Sequence, residues 1–250
     1  MEIVGFTKKE IDSLLVFNKG GYEGKILLYN NELVLKQFEK YLGDYIDFEN
    51  KKYKLERLVS RKVSRIIVEP KALVSIEGEF SGYLMPKISN AMHIDSIRDY
   101  KKLLMVYSKL FKDLDYLHKK NIVVGDLKPA NILVDYKYNT KFIDVDSMGI
   151  DEYPIDHENY RSHEAKLLPN YETKFRVNSR ENMDNYLLLA CFINSLSGEN
   201  TPLIGKLFNS KLTLEYKKIL FQLLKSDTWS TPVEISTILE EEKGKIKWQK

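Results

Sequence analysis

Residues 122–147 read IVVGDLKPANILVDYKYNTKFIDVDS, and the division of this stretch decides how the rest of the chain is read. Two apolar runs, 132–134 and 141–145, flank the polar link 135–139, which is the pattern of two strands and a turn. Asp126, Asn131 five residues later and Asp144 eighteen after the first carry side-chain oxygens, and Lys128 stands between the first two. A hairpin would bring Asn131, at the mouth of its first strand, near Asp144, at the far end of its second. Mg²⁺ takes few ligands from protein when phosphates supply the others, so the expectation is a metal–phosphate site.

The composition narrows the class. The chain has 250 residues, 43% of them hydrophobic, enough for one large domain or two small lobes. Lys and Arg number 39 and Asp and Glu 36, a net charge of +3 that predicts neither a nucleic-acid nor a membrane partner. The single cysteine, Cys191, rules out an intrachain disulfide, and no Cys/His cluster has zinc-ligand spacing. The start, MEIVGFTKKE, lacks a secretory apolar region, and no run reaches membrane-spanning length, so a cytoplasmic protein is expected.

Outward from the central stretch, the order is strands first and helices after. Thr7 and Glu10 have capping-box spacing before a short helix at about 8–15. Gly20, Gly21 and Gly24 lead into KILLYN, a turn at Asn30-Asn31, and ELVLKQF, a glycine-rich hairpin whose backbone can approach phosphate oxygens or simply turn. Lys36 ends an apolar strand. The helical stretch 48–59 offers Glu49 and Glu56 as partners for its ammonium, and the position near the helix middle favours Glu56. A strand, a Glu77-Gly78 turn and a second strand run into Pro86, with the backbone of 83–87, Tyr83 and Met85 among it, available to a purine, and a polar link at 87–90. Residues 99–119 carry Leu103, Tyr107, Leu110, Leu114 and Leu117 on one helical stripe, read as core. Further helices are expected at 184–195, after Thr201-Pro202, at 214–225, and from Thr231-Pro232 to about 241. This pattern predicts an α+β chain with a sheet-rich N-terminal lobe and a helical C-terminal lobe.

These residues resemble the protein kinase family. Asp126-Leu127-Lys128-Pro129-Ala130-Asn131 is similar to its catalytic loop, and Asp144-Val145-Asp146 stands where the family has DFG. Lys36 matches the ATP-anchoring lysine, Glu56 the helix glutamate paired with it, Tyr160-Arg161-Ser162-His163-Glu164 the segment ending in A-P-E, and Asp184-Asn185-Tyr186 the start of a buried helix. The resemblance, closest to compact bacterial or phage kinases, implies a bilobal kinase-like fold: one domain over 1–250, with an antiparallel-sheet N-lobe at about 1–86, a hinge at 87–90 and a C-lobe at 91–250. It also implies ATP and Mg²⁺ as cofactors and a protein Ser/Thr hydroxyl as acceptor. Asp126 would orient the hydroxyl and take its proton, and Lys128 would neutralise the γ-phosphate. Asn131 and Asp144 would hold Mg²⁺. Lys36 would grip the α/β-phosphates with Glu56 behind it, Gly20, Gly21 and Gly24 would cover them, and Tyr83 and Met85 would line the ATP site.

Several positions depart from the family. Val124-Gly125 replaces His-Arg, so regulation other than by a phosphate docked on that arginine is expected. Asp146 replaces the glycine of DFG, and His163 the proline of A-P-E. Gly125-Asp126 and Asp144-x-Asp146 also suit a small-molecule phosphotransferase of the aminoglycoside or choline kinase kind, while Lys128-Pro129 favours a protein acceptor. A nucleotide-binding pseudokinase or interaction protein is the third reading.

Overall fold

The runs Gly24–Leu28 (β3) and Leu33–Phe38 (β4) pair as the antiparallel hairpin their patterning predicts, with Leu27 opposite Leu35. Asn30 shapes the turn: its Oδ1 accepts from the amides of Glu32 and Leu33, both at 2.8 Å. A computed structural model describes residues 1–18, 24–39, 48–155, 166–196, 202–228 and 233–245. The chain divides into two compact units, Met1–Asn90 with Ile143–Asp156, and Ala91–Phe142 with His157–Lys250. It is mixed α and β, with the large sheet in its N-terminal part and mainly helices in its C-terminal part.

In the first unit β1 (Ile3–Phe6), α1 (Lys8–Asp12) and β2 (Leu15–Asn18) precede β3 and β4. Then come α2 (Phe48–Ser60), β5 (Ala72–Ile76) and β6 (Glu79–Pro86). The six strands run in the order β1-β5-β6-β4-β3-β2. α1 starts at the expected capping box, with Thr7 and Glu10 satisfying each other's amides. The β5–β6 hairpin turns at Glu77-Gly78, both with positive φ, as a two-residue hairpin loop requires. The sheet is not antiparallel throughout: β1 lies parallel to β5, Ile3 opposite Leu73. A parallel neighbour needs a long connection, which β2 to α2 supply. Alternation sends Leu35, Val74 and Leu84 to one face, where Ile11 of α1 completes an apolar cluster. Lys36 and its cross-strand partner Tyr83 fall on the opposite face.

The second unit begins with β7 (Met92–His93) and α3 (Tyr100–His118), capped by Asp99 through the amide of Lys102. The five stripe residues of α3 are buried, as expected of a core face. β8 (Ile132–Val134) pairs antiparallel with β9 (Thr140–Phe142) and with β7. Asp135 shapes the turn by accepting from the amides of Lys137 and Asn139. The second strand of this hairpin therefore stops at Phe142, short of the expected Val145. Asp144 takes a left-handed conformation, φ 64° and ψ 42°, and opens a 3₁₀ turn at Val145–Ser147.

The helices that follow are α4 (Tyr171–Val177), α5 (Arg180–Ser195), α6 (Leu203–Asn209), α7 (Leu214–Lys225) and α8 (Val233–Lys245). α5 starts four residues before its expected position because Ser179 caps it, and its residues from Met183 to Ile193 are buried on every side. α4 was not expected, and α8 runs past 241. α8 packs along α3, with the Ser108 hydroxyl 3.1 Å from the Ser236 carbonyl. Among the described residues no helix is long and apolar enough to cross a membrane.

Candidate functional site

The loop before β8 is built on one buried carboxylate. Asp184, on α5, has no exposed surface and accepts from the amides of Val124 at 2.7 Å and Gly125 at 2.8 Å, with His118 Nε2 3.2 Å away. Gly125 has φ +76°, and the Asp126 amide donates back to the Val124 carbonyl at 2.9 Å, which closes a γ-turn. A positive φ in so tight a turn is a glycine conformation, which accounts for Gly125 locally. The turn delivers Asp126, which is 7% exposed. Its Oδ2 accepts from Lys128 Nζ at 2.6 Å and from Asn131 Nδ2 at 2.8 Å. Pro129 opens the 3₁₀ turn Pro129–Asn131 that brings Asn131 back, and Asn131 Nδ2 also donates to the Asp126 carbonyl at 3.0 Å. With its amide nitrogen engaged there, the Asn131 amide oxygen has no hydrogen-bond partner among the described residues, and such an oxygen suits Mg²⁺.

The first unit brings together a different set. Lys36 Nζ donates to Asp144 Oδ1 and, at 2.7 Å, to Asp146 Oδ1. Asp146 has no exposed surface and also accepts from Lys51 Nζ at 2.8 Å and from the Tyr83 hydroxyl at 2.9 Å. Burial would raise the Asp146 carboxyl, but Lys36 and Lys51 outweigh it and hold the group well below the usual carboxylate range. Burial would likewise lower the Lys36 ammonium, and Asp146 and Asp144 hold it above its ordinary value. Asp144 and Lys36 are therefore an ion pair, with Asp144 partly exposed and Lys36 almost enclosed.

Lys36 does not pair with Glu56. The buried face of α2 carries Lys51, Lys54, Leu55 and Leu58, at helical spacing. Glu56 lies about 140° around the helix from Lys51 at 3.6 residues per turn. Lys36 instead meets two carboxylates, Asp144 and Asp146, and α2 contributes the cation Lys51 to Asp146. The repeat was visible in the sequence: Lys51 and Lys54 share a stripe with two leucines, but a lysine on such a stripe ordinarily reads as solvated.

Tyr83 and Met85 lie in β6. Tyr83 lies in a strand flanked on both sides, opposite Lys36 of β4 and Leu73 of β5, and Met85 is opposite Val34. Their backbone belongs to the sheet, and Tyr83 serves Asp146 through its hydroxyl. Gly24 is described, and a Cβ there would come within 2.2 Å of the Gln37 carbonyl oxygen, so close approach of β4 accounts for it. Gly20 and Gly21, and the Tyr160–Glu164 run, lie outside the described residues. Asn131 belongs to the second unit and Asp144 to the first. No protein-family model matches the chain, and no curated protein matches it.

Proposed function

We propose that the chain is an ATP- and Mg²⁺-dependent phosphotransferase of kinase-like bilobal fold that acts on Ser or Thr hydroxyls of a protein substrate. The observation that carries the reading is the loop 124–131. There an enclosed carboxylate, a lysine and a carboxamide converge on one point, held from below by a buried aspartate on a core helix. Phosphoryl transfer asks a protein chiefly for positioning and charge, which is what such a loop provides.

Asp126 orients the attacking hydroxyl and accepts its proton. Lys128, whose side chain is 38% exposed, places its ammonium beside Asp126, where charge builds on the transferred group. The oxygens of Asn131 and Asp144 are of the type Mg²⁺ takes, and Lys36 supplies the cation for the nucleotide phosphates. When bound, Mg·ATP supplies the phosphoryl group and the metal's neutralising charge. Asp144, an aspartate held at positive φ, is the kind of backbone outlier that functional sites keep. Gly125 has no side chain on which a phosphorylated segment can dock, so regulation takes another route.

The small-molecule reading rests on Gly125 and Asp146. Gly125 answers to its γ-turn and Asp146 to two lysines and a tyrosine, so neither calls for a different acceptor class. The test is transfer of labelled γ-phosphate from Mg·ATP to a panel of protein and small-molecule acceptors, wild type against Asp126→Ala. Label on protein Ser or Thr that Asp126→Ala abolishes is the expected result. Label confined to small hydroxylated compounds overturns the acceptor class. Nucleotide binding without any transfer overturns the enzyme.

A further inference from the structure

We propose that Lys51, acting through Asp146, is the positioning residue for Lys36, and that Glu56 has no part in it. This rests on the phosphotransferase reading for the identity of the ligand that Lys36 meets. The geometry is independent of that reading. Asp146 is a carboxylate with no exposed surface, and its two oxygens are divided: Oδ2 takes Lys51, and Oδ1 takes Lys36 and the Tyr83 hydroxyl. Tyr83 and Lys36 are cross-strand neighbours, so the sheet itself sets where Oδ1 can sit. Lys51 reaches the other oxygen from α2 and packs with its ammonium 5.1 Å from the centre of the Phe38 ring.

The division matters because Lys36 has two carboxylates to choose from. Lys51 shares the charge of Asp146 and leaves Lys36 held between Asp146 and the partly exposed Asp144. Without Lys51, both oxygens of a buried carboxylate would compete for Lys36, and an incoming phosphate would have to displace it from a stronger partner. α2 is itself fixed to the segment that carries Asp146. Lys54 Nζ donates to the Pro154 carbonyl at 3.2 Å, Arg61 pairs with Asp151, and the rings of Tyr53 and Tyr153 stack at 6.0 Å. The cations and one ring of the helix thus hold the segment, whereas Glu56 is half-buried on another face. A helix glutamate holding the strand lysine is thereby replaced by a helix lysine holding the carboxylate that holds the strand lysine.

The experiment compares Glu56→Gln, Lys51→Met, Lys51→Arg and Asp146→Asn with wild type. It reads the Kd for Mg·ATP, the kcat, the Tm, and the ¹H–¹⁵N resonance of the Lys36 ammonium without nucleotide. Glu56→Gln is expected to keep Kd and kcat within about twofold and leave the resonance in place. Lys51→Met and Asp146→Asn are expected to raise Kd about tenfold or more and to shift or broaden the resonance, with Lys51→Arg recovering most of the affinity. Loss of affinity in Glu56→Gln at unchanged Tm overturns the proposal, even if Lys51→Met does not fold. So does a Lys36 resonance insensitive to Asp146→Asn. A wild-type chain that binds no Mg·ATP overturns the phosphotransferase reading, while the Lys36 resonance still decides this one.

Discussion

Asp184 shows how one buried side chain can govern a loop it does not belong to. Its oxygens take the amides of Val124 and Gly125, and its removal would leave both without a partner in a site closed to water. Replacing a buried, charge-assisted acceptor of two amides is expected to cost about 3 kcal/mol. Asp184→Ala should therefore lower the denaturant midpoint and also slow transfer, because Asp126 follows the γ-turn. A midpoint equal to wild type would contradict the reading of the loop. The residues of this loop were legible in the sequence because Asp126, Lys128 and Asn131 act over five positions, where spacing alone fixes proximity. The partner of Lys36 was not. Spacing leaves Glu49 and Glu56 as candidates, and the choice depends on how α2 turns against the sheet. Asp146 stood out as a departure, but its neighbours come from β4, β6 and α2, and no local pattern joins them.

Elements with strong local signals formed where they were expected. The α1 capping box, the Glu77-Gly78 turn, the α3 stripe and the bounds of α7 each depend on a few adjacent residues. The elements that went unread lack such signals. β1 is four residues long and gains its place only by lying against β5, and α4 has no side-chain cap. Gly24 was read as a glycine that approaches phosphates or simply turns the chain, and the structure gives it a close neighbour, the Gln37 carbonyl of β4. Gly24→Ala forces that strand pair apart and is expected to destabilise the protein by about 1–3 kcal/mol. Thermal unfolding checks this: a Tm unchanged from wild type would restore the view that the position serves only a ligand.

At the scale of the molecule, the chain leaves its first unit at Asn90 and returns to it from Ile143 to Asp156. The return segment carries Asp144, Asp146 and Asp151, the partners of Lys36, Lys51 and Arg61. Residues 1–90 alone would keep Lys36 without Asp144 and Asp146, and an unpaired buried charge is strongly destabilising. That fragment is expected to show no cooperative urea transition by circular dichroism; a sharp transition would mean that the ion cluster is not needed for the fold. An order of strands followed by helices could be read in advance, but not this return of the chain, because it is fixed by charges far apart in sequence. The central claim, that Asp126 performs phosphoryl transfer, is tested most directly by measuring two quantities on one sample of Asp126→Asn: the Kd for Mg·ATP and the rate of γ-phosphate transfer to a protein acceptor. A general base contributes about 10²–10⁴-fold, so the account predicts a rate lower by that factor with Kd within about twofold of wild type. An equal rate in the two proteins would contradict it.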